Sequence, residues 1–143
     1  MQDVISKYLT DNVKITKLQD HTTAGTGTIT SDELDMAGYS NVLFITSFGT
    51  ANAGNIATMH QSVASGGEAS SLALKTSGSS DEDIFLDVEW NPTYRYAKLV
   101  ITRGASTTCE SIWAIQYNAR TKSINNATSG TSAVGQFSAP ALG

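Results

Sequence analysis

A single cysteine, two histidines and a charged share of only 15% are what this 143-residue sequence has least of. One cysteine, Cys109, excludes an internal disulfide framework and a cysteine-based zinc site. Its sequence neighbours Thr108 and Glu110 supply no cation to activate a thiol, so it reads as a small buried hydrophobe inside a strand. The histidines, His21 in a polar turn and His60 in a strand, belong to no catalytic signature. Scarce charge leaves a surface that is cheap to strip of water, which points towards assembly. The net charge is −4, and the nine Lys and Arg are spread along the whole chain. Arg120 and Lys122 are their nearest approach to a cluster, and two cations make no phosphate track, so nucleic acid is not an expected partner. No apolar run approaches the ~20 residues of a membrane span, and Met1–Lys7 lacks the features of a secretory signal. The expectation is synthesis in the cytoplasm and no membrane partner.

What the sequence does contain is a succession of short strands. Val13-Lys14-Ile15-Thr16-Lys17-Leu18 alternates apolar and polar. Val42–Phe48 is apolar on both faces, as a central strand is. Strands are also predicted over Ile56–Val63, Ser71–Lys75, Ile84–Trp90, Tyr94–Arg103 and Cys109–Tyr117. Between them lie turn signals such as Thr23–Thr28, Asn52–Asn55, Ser65–Glu68, Asn91-Pro92 and Gly104–Thr107. Ile84, Leu86, Val88 and Trp90 share one face of their strand, with Asp87 and Glu89 on the other. In the last strand Ser111, Trp113, Ile115 and Tyr117 oppose Ile112, Ala114 and Gln116, and both Trp90 and Trp113 are expected in the core. About seven or eight strands without helix alternation predict an all-β chain, an antiparallel β-sandwich or jelly roll.

The organisation follows: an N-terminal helix or arm over 1–12, a β-sandwich over 13–118, and an extended low-complexity C-terminal tail over 119–143. Val4, Ile5, Tyr8 and Leu9 fall on one face at helical spacing, on a segment too short to stand alone. From Asn125 to Gly143 only Val134, Phe137 and Leu142 offer large apolar anchors. These seven residues are the expected interface with other subunits or partners, and removing residues 1–10 or 125–143 should leave the fold nearly as stable.

Candidates for chemistry are few. Asp81-Glu82-Asp83 lacks the spacing and glycine of a calcium loop and reads as a wet loop guarding a sheet edge. Asp87 and Glu89, two residues apart on one strand, could be a carboxylate pair but read as a solvated face. Gly25-Thr26-Gly27 and Ser65-Gly66-Gly67 are not followed by the helix a phosphate cradle requires. Neither catalysis, nor a metal, nor a cofactor is expected. Trp90, Trp113, Tyr94, Tyr96 and Tyr117 read as core or subunit interface, with a sugar-binding platform as the alternative.

Two stretches carry a resemblance. Val42-Leu43-Phe44-Ile45-Thr46-Ser47-Phe48-Gly49-Thr50 is one. The other runs from Leu86-Asp87-Val88 through Pro92-Thr93-Tyr94-Arg95-Tyr96 to Ala114-Ile115-Gln116-Tyr117-Asn118-Ala119-Arg120. Together they resemble small tailed-bacteriophage head proteins of the capsid-decoration kind, in their order of features over residues 13 to 124. The sequence departs from that pattern at Ser123-Ile124, where a proline often follows the lysine. The resemblance implies a virion structural protein on the capsid surface, a homo-oligomer with a trimer favoured. Its partner would be the major capsid protein, whose subunits it would bridge as a cement. A head–tail connector, a tail component or a carbohydrate-binding adhesin are the alternatives.

Overall fold

The computed structural model of the chain describes residues 7–49, 54–67, 70–76 (by backbone path), 82–104, 106–120, 124–127, 132–136 and 138. Among these residues a 3-10 turn at Leu9–Asp11 precedes eleven strands. They are β1 (Lys14–Gln19), β2 (Thr22–Gly25), β3 (Ile29–Thr30), β4 (Leu34–Asp35), β5 (Tyr39–Gly49), β6 (Ile56–Ser62), β7 (Ser70–Thr76), β8 (Asp83–Glu89), β9 (Tyr96–Thr102), β10 (Thr107–Cys109) and β11 (Ile112–Ala119). Seven of these have six residues or more and correspond to the strands expected from alternation; the other four are short pieces of two to four residues.

Every pairing is antiparallel, and the pairs nest. β6 pairs with β7, β5 with β8, β3 and β4 with β9, and β1 with β11. The chain is thus one long hairpin ribbon, rolled up so that β11 also meets β5 and β9 also meets β6. Two sheets result, β1-β11-β5-β8 and β7-β6-β9 with β3 and β4 on its far edge, while β10 extends the first sheet between β5 and β2. That is the path of a jelly roll, which leaves few open strand edges. The expected β-sandwich is therefore the fold observed.

Period-two alternation decides what lies between the sheets. Along β5, Val42, Phe44, Thr46 and Phe48 are buried. From the facing sheet Ala57, Met59, Ala97, Leu99 and Ile101 meet them, joined by Ile84, Ile112 and Ala114. Two buried polar side chains find backbone partners: Gln116 donates to the Asp35 carbonyl at 2.9 Å, and Asn55 accepts from the Gly104 amide at 2.7 Å. Gly38, at φ 88°, makes the turn into β5 that a Cβ would strain.

Arg95, just before β9, reaches across to β4 as a two-point clamp, its Nε and Nη2 donating to the Asp35 carboxylate at 3.0 and 2.9 Å. That hydrogen-bonded guanidinium holds the Asp35 carboxyl below its ordinary value of 3.8. A carboxylate whose folded pKa is depressed stabilises the fold above its unfolded value and loses that contribution as pH falls through the folded one. Both side chains are about half exposed, so the pair is worth no more than about 1 kcal/mol. In urea titrations between pH 5 and 2, Asp35→Asn should therefore show a shallower acid loss of stability than the parent chain.

Three expectations need correction. Trp90 is buried, but Trp113 is 41% exposed, because the core-facing side of β11 carries Ile112, Ala114 and Gln116 instead. Both faces of β11 are rich in apolar residues, and Gln116 fits inside only because the Asp35 carbonyl and the Met36 sulfur accept from it. The Thr23–Thr28 turn begins as strand β2, paired with β10. Arg103 fixes it there, donating to the carbonyls of Thr23, Gly27 and Thr107 at 2.7–2.8 Å.

The third correction concerns the tail. Asn126 is buried, and its side-chain amide lies along the outer edge of β1. It accepts from the Ile15 amide at 2.7 Å and donates to the carbonyls of Val13 and Thr10 at 2.8 and 2.9 Å. One side chain thereby does for the β1 edge what a residue of a neighbouring strand would do. Lys14 Nζ donates to the Asn125 carbonyl, and Gln136 donates to Thr10 Oγ1 and Asp11 Oδ1 at 2.9 and 2.8 Å. Part of the tail is thus a fixed strap of its own subunit.

Candidate docking face

The outer side of the first sheet carries what the core leaves over. Strand register aligns Lys17, Trp113, Ile45 and Phe85 in one row across β1, β11, β5 and β8. The next row is Ile15, Ile115, Leu43 and Asp87. Six apolar side chains therefore adjoin on a face that no other layer of the described structure covers. Phe85 is 64% exposed and Trp113 41%, whereas Leu43, Ile45, Ile15 and Ile115 are half-buried. Large apolar groups adjoining on a surface otherwise rich in polar residues mark a contact site more strongly than scattered ones do.

Around this patch the charges are unequal. Asp83, Asp87 and Glu89 project from β8, and Glu110 stands at the end of β10, all exposed. Asp87 accepts a hydrogen bond from the Tyr117 hydroxyl, which raises the tyrosine above its ordinary value. Glu110 lies 3.3 Å from His21 Nδ1. On the opposite margin Lys17 is already neutralised by Asp20 at 2.7 Å, with its ammonium 6.0 Å from the centre of the Trp113 ring. At one end of the patch an open depression of about 430 Å³ is bounded by Ile45, Ser47, Asp83, Phe85, Glu110 and Trp113.

The residues expected at an interface fare differently. Val4, Ile5, Phe137 and Leu142 lie outside the described residues. Leu9 is 66% exposed and Val134 39%, and Tyr8 is half-buried. The structure brings the two ends of the chain together: Lys7 Nζ donates to Ser138 Oγ at 3.3 Å, and Val134 shares one cavity with Thr10 and another with Ile15 and Trp113. The terminal segments thus border the apolar face. Sequence reasoning missed the face itself. Alternation contained part of the signal, since setting Ile84 and Leu86 inward sends Phe85 outward.

Other candidates are dispersed. Asp87 and Glu89 are exposed on the outer side of the edge strand β8, where charge discourages pairing with another chain. Asp81 lies outside the described residues. Among the described residues no group of three His, Cys, Asp or Glu side chains could hold a metal ion, and no helix is long and apolar enough to cross a membrane. His60 sits on β6, where partial burial and then nearby Lys98 lower its pKa. Cys109 is buried in β10, 3.4 Å from Thr46 Oγ1, and burial pushes its thiol pKa up. Native protein should accordingly react with a thiol reagent such as DTNB only at the rate at which it unfolds. Cys109→Ser should cost about 1 kcal/mol and leave assembly intact, because the hydroxyl finds Thr46 and the Glu110 carbonyl as partners.

The sequence matches no protein-family model and no curated protein. Among solved structures, the chain is similar to one titled as infectious bursal disease virus Gx strain, at 16% identity over 73% of this chain and 32% of that chain, with a TM-score of 0.43. The corresponding Gt strain structure gives 13% identity over 76% and 32%, with a TM-score of 0.42. Eiger TNF from S. frugiperda gives 9% identity over 86% and 99%, with a TM-score of 0.37. The chain spans about a third of the length of the two viral chains.

Proposed function

We propose that this chain is a non-enzymatic virion structural protein of a tailed phage, a capsid decoration protein that binds the assembled head and stabilises it. The observation that carries the reading is the row Trp113–Ile45–Phe85 on the outer side of a jelly-roll sheet, a broad apolar face with a polar rim. The resemblance of residues 42–50 and 86–120 to phage head proteins supports the same reading. Each copy lays this face on the major capsid protein, with the terminal segments around Tyr8, Leu9 and Val134 adding contacts to a neighbouring copy, a trimer being favoured. Weak individual contacts sum to firm holding when repeated over a lattice.

The test is co-sedimentation of purified chain with heads of the phage that encodes it, after stripping them of their own copies. Trp113→Ala should reduce attachment at least ten-fold, as truncation of an aromatic anchor at an interface does. Its stability should fall by only about 1 kcal/mol, since Trp113 is already half in water. Full attachment by a folded Trp113→Ala chain would remove the face from the reading.

The exposed aromatics favour one second reading, a carbohydrate-binding module. Titration with soluble oligosaccharides separates the two, because sugar stacking on Trp113 would change its fluorescence while buried Trp90 stays silent.

A further inference from the structure

We infer that the depression at the end of the apolar face is a socket for an arginine side chain of a protein partner. The inference deepens the reading above by naming what the partner presents, and it depends on that reading only for the partner being another protein. Trp113 and Phe85 flank Ile45 across three adjacent strands, so their backbones stand roughly 10 Å apart at the usual strand spacing. The depression lies between them, lined by Trp113, Phe85 and Ile45 together. Asp83 and Glu110 stand at the rim of the same depression with Ser47, and no lysine or arginine among the described residues lines it.

Two aromatic faces with two carboxylates form an environment for a cation. A guanidinium suits it better than an ammonium, being planar for stacking, weakly hydrated and able to donate to both carboxylates at once. Four other carboxylates make the contrast. Asp20, Glu33, Asp35 and Asp87 each have a donor from their own subunit: Lys17, Ser65 with the Gly66 amide, Arg95 and Tyr117 respectively. Among the described residues Glu110 has only His21 beside it, at 3.3 Å.

A second copy of this chain is a poor source of the arginine. The sequence has three, and all are engaged at home: Arg95 on Asp35, Arg103 on three carbonyls, and Arg120 on the Tyr39 carbonyl at 3.1 Å. The guanidinium therefore comes from a different protein. The expected partner surface is an apolar ridge with an arginine at its end.

The probes are three short capped peptides, Gly-Xaa-Gly, with arginine, citrulline or lysine in the middle, titrated against the full chain while tryptophan emission is followed. The arginine peptide should give a saturable change that is absent from Trp113→Phe and at least ten-fold weaker in the Asp83→Asn, Glu110→Gln double variant. Citrulline, with the same shape and no charge, should give none, and lysine should bind several-fold more weakly. Equal binding of citrulline or lysine, or an unchanged affinity in the double variant, overturns the assignment. A response to neutral oligosaccharide with none to arginine also overturns it. The same double variant in the head-attachment assay separates the two ideas. If attachment needs Trp113 but not the carboxylates, the arginine socket is wrong and the docking face stands. If attachment falls with both, the socket is supported.

Discussion

Replacing Trp90 by alanine should lower the stability of the chain by about 3–5 kcal/mol, read as a shift of the urea midpoint with an unchanged slope. The indole is 5% exposed, packs with the core cluster and donates from Nε1 to the Tyr94 carbonyl at 2.7 Å. Alanine leaves both a cavity and a carbonyl without its donor, and the two losses add. Trp90→Phe should recover much of the packing and none of the hydrogen bond, falling between the two. A Trp90→Ala chain that melts like the parent would mean that this corner, where β8 turns through Asn91-Pro92 towards β9, is not packed as described.

The second large effect belongs to Asn126. Its amide answers the Ile15 amide and the carbonyls of Val13 and Thr10, three backbone groups at an edge where the described residues place no further strand. Asn126→Ala should cost about 2–4 kcal/mol, taking about 1 kcal/mol for each hydrogen bond lost. Ending the chain before residue 124 should cost at least as much, whereas ending it after residue 127 should cost little. Chemical denaturation of the three variants checks this ordering. Equal stability of all three would mean that the strap contributes nothing to its own subunit.

These two sites also mark how far the sequence could be read. Strand positions were legible because alternation survives wherever one face is wet: β8 sorts Ile84, Leu86, Val88 and Trp90 from Phe85, Asp87 and Glu89 without ambiguity. The orientation of β11 was not legible, because it lies between β1 and β5 and both of its faces are apolar enough to be core. Its direction is settled by Gln116 finding Asp35 and Met36, partners about 80 residues away in sequence. Local composition also hid Asn126. Surrounded by Ser, Thr, Asn and Gly it looks like a tail residue, and its role depends on the edge of a strand more than a hundred residues earlier. The docking face shares that origin. Trp113, Ile45 and Phe85 come from three separate strands, and only the register places them side by side.

The position of β11 between β1 and β5 also sets the order of events on the ribosome. β1 leaves the exit tunnel about a hundred residues before the strand it needs, which at ~5–20 residues per second is a wait of roughly 5–20 s. Until then β1 has no partner within the sheet, and β5 is open along the flank that β11 will fill. The nascent chain therefore presents unpaired strands during its own synthesis, and the first sheet closes only after β11 has emerged. Final closure must join segments far apart in sequence, which makes it slow for a domain of this size. A protein needed in many copies at once would spend that interval exposed to pairing with its own neighbours. Expression yield should accordingly fall more steeply with temperature and synthesis rate than the stability of the finished fold would suggest.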